Sequence, residues 1–283
     1  MRLFCYLLLI LLLLVMIGCN GSTVEDPQLN GEVQSGQQEV DIEWVSVAQE
    51  GISFQFDKLI ADSVNISIMA PDQDFFEEHP LPGHLHISFN KPSNGDNISI
   101  FGQLNVYPVD QLLQFDPEAG FVIDNLVGML DSGSTEALEW EMPFLPFQYA
   151  GQLFNSNVKI VSFKNGKGIR YLTQHVQDVA PLLNTSLVYT FQGLTADRLY
   201  YVSLIMPVNH PELTDTWDEF FADIEYSDFY ENFEVYIAND RNLLNNSPDS
   251  LFNPPLTLLD QLVESIMVDN PDFLLENEDM SVG

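Results

Sequence analysis

Two histidines, His84 and His86, have the residue type and spacing most readily connected with chemistry. They stand two positions apart among alternating apolar residues, so both side chains should project from one face of a β-strand. Two imidazoles on one face can supply two ligands to a divalent metal ion, and a zinc site would need one or two more. Glu77, Glu78 and His79 are nearby in the sequence. The competing interpretation is a solvent-facing strand that carries two ordinary histidines.

Signatures of several common enzyme classes are absent from the sequence. Ser132-Gly133-Ser134 does not match the G-x-S-x-G motif of serine hydrolases. Asn165-Gly166-Lys167-Gly168 is typical of a hairpin turn and not of a phosphate-binding loop, and the acidic runs lack the spacing of a calcium loop. We therefore predict a non-enzymatic protein without a cofactor. The alternative is a metal- or calcium-dependent binding or hydrolytic protein that uses His84, His86 and nearby acids.

The chain is strongly acidic, with 9 Lys and Arg against 42 Asp and Glu and a formal net charge of −33. Such a charge repels nucleic-acid phosphates, so nucleic acid is not an expected partner. Basic residues nevertheless cluster around the turn signal Asn165-Gly166; they are Lys159, Lys164, Lys167 and Arg170. This cluster is either a docking patch for an acidic partner or ligand, or a protection of an edge strand against pairing with another chain.

A pair of adjacent tyrosines is a further candidate for partner contact. Tyr200 and Tyr201 lie in a predicted strand, so their side chains should point to opposite faces of the sheet. An exposed tyrosine beside polar residues suits contact with a protein or ligand, and Tyr201 is our candidate. The alternative is a partly buried ring whose hydroxyl stays in contact with water.

The order of predicted elements indicates an α+β fold. Alternating apolar residues in 41–107 and 158–206 predict antiparallel meander hairpins, in one sheet or in two. A helix should run from an N-cap at Asp116 to Gly133, and more helices should follow Pro211. We therefore expect helices packed on one side of the sheet and a helix-rich C-terminal third.

The first 19 residues have the organisation of a secretory signal peptide. Arg2 precedes an apolar run from Leu3 to Ile17, and Gly18-Cys19 follows. The segment resembles a bacterial lipoprotein signal, with Met16 where that family usually has leucine. The resemblance implies cleavage before Cys19, which would carry a diacylglyceryl thioether and an N-acyl chain. An uncleaved anchor is the alternative, although the run is shorter than the roughly 20 apolar residues that span a bilayer.

These patterns predict how the chain is organised. Its four expected parts are a signal peptide (1–18), the lipidated Cys19 with a disordered tether (19–40), a single α+β domain (41–268) and an acidic flexible tail (269–283). The tether is rich in Gly, Ser, Asn, Gln and acids, a composition typical of disorder.

Three segments of the predicted meander resemble a family of uncharacterised bacterial envelope proteins: Arg170–Gln174, Tyr189–Thr195 and Tyr200–Val202. That family has a strand–turn–strand core, often behind a lipoprotein signal, and implies no role for individual residues. We therefore expect a membrane-anchored extracytoplasmic lipoprotein that acts as a non-enzymatic binding or interaction domain at the cell envelope. Its expected partners are the membrane, through the Cys19 lipid, and an envelope protein or ligand.

Overall fold

The computed structural model describes residues 42–72, 79–91, 102–135 and 141–271. Several sequence predictions fall outside these ranges: the signal peptide, Cys19 with its lipid, the tether, the tail from residue 272, and Glu77 and Glu78. Within the described ranges, no helix is long and apolar enough to cross a membrane.

The described residues form strands and helices in a clear succession. The strands are β1 (Trp44–Gln49), β2 (Ile52–Asp57), β3 (Ser63–Met69), β4 (His84–Asn90), β5 (Gly102–Pro108), β6 (Gly151–Gln152), β7 (Ser156–Phe163), β8 (Gly166–Thr173), β9 (His175–Val176), β10 (Val188–Thr195), β11 (Tyr200–Pro207) and β12 (Met267–Val268). The α-helices are α1 (Val109–Phe115), α2 (Ala119–Ser132), α3 (Trp217–Phe220), α4 (Tyr226–Glu231), α5 (Phe233–Asn246) and α6 (Leu256–Ser265).

The main sheet has seven antiparallel strands in the order β3–β4–β5–β11–β10–β8–β7. The two strand-rich regions of the sequence join in this one sheet, where β5 pairs with β11 and Leu104 lies opposite Leu204. The β7–β8 hairpin is present, but its turn is Lys164-Asn165 and not the predicted Asn165-Gly166, because Gly166 already pairs with Phe163 as the first residue of β8. A smaller sheet contains β1, β2 and β12, and β6 pairs with β9. The predicted antiparallel hairpins are confirmed.

Both faces of the central strands of the main sheet are buried, and each face belongs to a different apolar cluster. In β11, Val202 and Leu204 pack in the cluster that includes α6, whereas Tyr201 and Ile205 pack in the cluster that includes α2. Neighbouring side chains of a strand point to opposite faces, so this alternation separates the two clusters. Because β11 has apolar residues at both odd and even positions, other elements must pack on each face of the sheet.

Helices supply part of that cover on both faces, and not only on the one side that the sequence analysis expects. The helix α2 packs on β8, whereas α6 packs on β7 and on β2 of the smaller sheet. A cover on both faces is needed because all of β10, and all of β11 except Pro207, is buried. The α+β class and the helix-rich C-terminal part are confirmed.

The end of α2 agrees with its sequence signal. Gly133 adopts a left-handed φ of 69° and its N–H donates to the Met129 carbonyl, which ends the helix. At the other end, Asp116 separates α1 from α2, and its carboxylate accepts the Glu118 N–H at 2.9 Å. The carboxyl end of α2 lies beside the β7–β8 turn, where Lys167 Nζ donates to the Leu130 carbonyl.

Candidate functional site

The basic residues that cluster in the sequence separate into two groups in the structure. Lys159 and Arg170 lie opposite each other in the β7–β8 ladder, and both contact Asp260 of α6. Lys164 and Lys167 lie around the hairpin turn and line a cleft. Arg170 is 4% exposed, so it is committed to the interior and not available to a partner.

Asp260 holds the first group between the sheet and α6. Its carboxylate accepts hydrogen bonds from Lys159 Nζ at 2.7 Å, Arg170 Nε at 3.1 Å and the Tyr189 hydroxyl at 3.0 Å. Burial first, and the Asp260 charge second, raise the pKa of Tyr189 well above its ordinary value, so its hydroxyl stays a donor. Two like charges opposite each other on neighbouring strands repel, and the carboxylate between them removes that repulsion.

Asp260 is a functional part of the fold that the sequence analysis missed. It interrupts the apolar face of α6 between Leu259 and Leu262, both of which are fully buried. An acid on a buried helix face requires a partner, because an unpaired buried charge is very unfavourable. The acid on an otherwise apolar helix face therefore indicates, from the sequence alone, that Asp260 has a buried partner. The partner itself is not readable from local patterns, because 90 positions separate Arg170 from Asp260.

The second group lines a basic cleft of about 420 Å³ where the β7–β8 turn, the β10–β11 turn and the end of α2 meet. Its cations are Lys164, Lys167 and Arg198, three of the eight Lys and Arg residues in the described part of the chain. Its apolar lining comes from Val127, Leu130, Phe163 and Leu194. Positive charge is therefore concentrated on an apolar floor in a chain whose net charge is −33.

Arg198 joins the cleft because two hairpin turns lie at the same end of the sheet. The strands β8 and β10 are neighbours, and the Ala196 N–H donates to the Asn165 carbonyl at 2.8 Å, which connects the two turns. Arg198 adopts a φ of 61°, in the left-handed region that a tight turn requires. Local sequence patterns do not single out Arg198, although an antiparallel meander places the β7–β8 and β10–β11 turns at the same end of the sheet.

Two of the three cations also stabilise the end of α2. Lys167 Nζ donates to the Leu130 carbonyl at 2.9 Å and lies 3.8 Å from Asp131 Oδ1. Arg198 Nη2 lies 3.3 Å from Asp131 Oδ2. Cations near the carboxyl end of a helix stabilise it by about 0.3–1 kcal/mol, and exposed ion pairs such as these are weak. Lys164 makes no side-chain hydrogen bond or ion pair with the other described residues.

Asp197, in the β10–β11 turn, forms its hydrogen bonds within the turn itself. Asp197 Oδ1 accepts the Thr195 hydroxyl at 2.6 Å and the Leu199 N–H at 3.1 Å. The Thr195 hydrogen bond first, and the Leu199 hydrogen bond next, lower the pKa of Asp197. The charged side chains that line the cleft are the three cations and Asp131, which leaves an excess of two positive charges. Such an arrangement can hold an anionic group.

Tyr201 is fully buried and serves the interior, as a positioning group for the segment around Leu145. Its hydroxyl donates to Gln192 Oε1 at 2.6 Å, and the same oxygen accepts the Leu145 N–H at 3.1 Å. The Ser203 hydroxyl donates to the Leu145 carbonyl at 2.6 Å. Tyr200, on the opposite face, is also buried. Neither ring offers an exposed surface to a partner.

His84 and His86 lie on one face of β4, as their spacing predicts. His84 Nδ1 lies 2.9 Å from the Pro82 carbonyl oxygen, and its ring packs on Tyr107 with 4.6 Å between centroids. Burial lowers the pKa of His84, which favours a neutral ring that donates to that carbonyl. His86 Nδ1 lies 2.7 Å from Asn105 Oδ1. Both histidines thus have structural partners.

A third metal ligand near these histidines is not found among the residues that the structure describes. In those ranges, no three His, Cys, Asp or Glu side chains lie together as a metal site requires. His79 lies 2.7 Å from Asp116 Oδ2, and Glu77 and Glu78 fall outside the described ranges. The metal-dependent alternative stays a prediction.

The fold and the site together define an α+β domain with a basic cleft at one end of a covered antiparallel sheet. The sequence matches no protein-family model and no curated protein. Its function therefore has to be inferred from the site itself.

Proposed function

We propose that the protein is a lipid-anchored extracytoplasmic binding protein that holds an anionic ligand in the basic cleft. The observation that carries this proposal is the convergence of Lys164, Lys167 and Arg198 on one cavity of about 420 Å³. The rest of a chain with a net charge of −33 repels anions. A positive cleft in such a surface therefore directs an anion to this one site.

The three cations have complementary roles in this proposal. The planar guanidinium of Arg198 suits bidentate hydrogen bonds to a carboxylate or phosphate, and Lys164 and Lys167 act as point charges. The apolar floor accepts the carbon part of the ligand and excludes water, which strengthens the charge interactions above it. An excess of two positive charges matches a ligand that carries two or more negative charges. The protein acts by binding such a ligand and not by transforming it.

Neutralising the cleft should weaken anion binding. We expect citrate to bind the full-length protein in nonionic detergent at low ionic strength, and to bind the double variant Lys164→Gln/Arg198→Gln about five- to tenfold more weakly. Each lost exposed charge contact is worth roughly 0.2–1 kcal/mol, which supports that range. Isothermal titration calorimetry measures the two dissociation constants. Added salt should weaken binding to the natural protein, because these charges are exposed.

The matched control is the double variant Lys58→Gln/Lys91→Gln, which removes the same two charges at exposed positions outside the cleft. It should leave citrate binding unchanged. Equal weakening in the control and in the cleft variant would mean that citrate responds to the overall charge and not to this site. Unchanged binding in the double variant would contradict the proposed role of the cleft.

The proposed anchor rests on the lipoprotein-like signal that ends at Cys19. In a bacterial host, Cys19→Ala should abolish incorporation of a palmitate analogue and release the protein from the membrane fraction. Multiple acyl chains anchor firmly, at about 0.8 kcal/mol for each buried CH₂, so their loss should be evident in fractionation. Unchanged labelling in the Cys19→Ala variant would overturn the anchor, and Cys5→Ala is the control for the other cysteine of the chain.

A further inference from the structure

A second cavity lies away from the basic cleft, between α5 and the chain that runs from β6 into β7. Its volume is about 780 Å³, within the range of roughly 300–1,000 Å³ that small-molecule sites have. The polar residues that line it are Gln152, Asn155, Glu234, Arg241, Asn242 and Asn245. One positive and one negative side chain balance each other, so this lining has no net charge, unlike the basic cleft.

The helix α5 presents these polar residues along one face. Glu234 and Arg241 lie about two helical turns apart, and Asn245 lies about one turn after Arg241. Asn242 is next to Arg241 in the sequence. Ile237 of the same helix is buried, and together with Leu153 and Phe154 it gives the cavity an apolar base. The cavity therefore combines a polar rim with an apolar base, as binding sites for small molecules commonly do.

Hydrogen bonds fix part of the rim and leave other groups open for a ligand. Arg241 Nη2 donates to Asn155 Oδ1 at 3.3 Å, and the Asn157 N–H donates to Asn245 Oδ1 at 2.7 Å. Both amide oxygens are therefore occupied, which leaves the two NH₂ groups as donors. The Asn242 amide and the Glu234 carboxylate make no side-chain hydrogen bond with the other described residues. Free donors and free acceptors thus lie around one cavity.

A buried acceptor beside this cavity is also without a partner. Asn157 Oδ1 is buried and has no hydrogen-bond partner among the described residues, although the N–H of the same residue holds Asn245. A buried acceptor left unpaired is unfavourable by about 1–3 kcal/mol, so it requires an explanation, and a bound water or ligand is one. Asn157 reaches the cavity through Asn245, which lines it and accepts the Asn157 N–H.

We propose that this cavity binds a short neutral saccharide. The Asn242 carboxamide offers a donor and an acceptor on adjacent atoms, which matches neighbouring sugar hydroxyls, each of them both donor and acceptor. Glu234 and Arg241 add one strong acceptor and one strong donor without selecting for charge. The apolar base contacts the carbon face of a sugar ring. A charged ligand would leave one of these two side chains opposed to a like charge. The proposal is independent of the anion-binding role of the basic cleft.

The test uses saturation-transfer NMR on the full-length protein in nonionic detergent, with maltotriose, cellotriose and chitotriose as probes. A neutral Gly-Ser hexapeptide and citrate serve as comparison ligands. We expect at least one trisaccharide to bind, and Asn242→Leu, which keeps the shape and removes the amide, to weaken it about tenfold. Asn239→Leu, on the same helix and not in the cavity lining, should leave it unchanged.

Three results would overturn the proposal: no trisaccharide binds, the hexapeptide binds in their place, or Asn242→Leu and Asn239→Leu weaken the sugar equally. Citrate binding should be unaffected by Asn242→Leu, because the basic cleft is a separate site. Thermal denaturation of both leucine variants verifies that each is folded before its binding is compared.

Discussion

Asp260→Asn is expected to destabilise the protein by about 3–5 kcal/mol, the range for removing one partner of a buried ion pair. The variant keeps the shape of the side chain and removes its charge. Arg170, which is 4% exposed, would lose its closest carboxylate and keep Asp249, at 3.8 Å, and the hydrogen bond to the Asn157 carbonyl. Urea denaturation followed by circular dichroism measures this loss as a lower midpoint with an unchanged slope.

Two further variants make the Asp260 result specific. Glu264→Gln removes an exposed carboxylate from the same helix and should change the free energy of unfolding by less than about 0.5 kcal/mol. Arg170→Met and Tyr189→Phe combined with Asp260→Leu should recover most of the loss, because apolar residues of similar size often replace a buried ion pair without penalty. Tyr189→Phe removes the hydroxyl that would otherwise lose its acceptor. Lys159 is 52% exposed in its side chain and can turn to water in that triple variant. A small effect of Asp260→Asn would contradict the role assigned to this carboxylate.

Gly168→Ala is the second change with a large expected effect, a destabilisation of about 3 kcal/mol from overpacking in the sheet. Gly168 pairs with Gly193 across the β8–β10 ladder. An added Cβ would lie 2.6 Å from the Gly193 Cα and 2.5 Å from the Phe191 ring, and it would also collide with the Gln192 carbonyl. Backbone atoms in the middle of a sheet cannot move aside cheaply, so the methyl group forces the strands apart.

Gly120→Ala is the matched control, with the opposite sign. Gly120 is the second residue of α2, and the nearest atom to an added Cβ is in the flexible Leu113 side chain at 3.4 Å. Alanine is more favourable than glycine in a helix, by about 0.5–1 kcal/mol in the middle and by less in the first turn. The same urea titration should therefore show a higher midpoint for Gly120→Ala and a lower one for Gly168→Ala. A neutral Gly168→Ala would mean that the two strands are less tightly paired than the structure indicates.

The sequence predicted the features that depend on short spacings. Alternation and turn residues located the β7–β8 and β10–β11 hairpins, and Gly133 marked the end of α2. These signals are local, because strand faces repeat every two residues and a left-handed helix end requires a particular residue type. The α+β class followed from the order of such elements.

The same local signals left the candidate site incomplete. Lys164 and Lys167 were found because they flank one turn, whereas Arg198 joins them only through the pairing of β8 with β10. Tyr201 was offered as an exposed ring because the cover on the α2 face of β11 comes from residues distant in sequence. Partners across the fold depend on which elements pack together, and periodicity within an element does not contain that information.

The central claim, that the basic cleft holds an anion, is tested most directly by locating bound citrate on the protein. Two-dimensional ¹H–¹⁵N NMR of the ¹⁵N-labelled full-length protein in detergent gives that location. The account predicts that the amide signals of 164–167 and 196–198 shift together and saturate, whereas those of His84 and His86 do not move. Shifts spread over the surface without saturation, or shifts centred on the histidines, would contradict it.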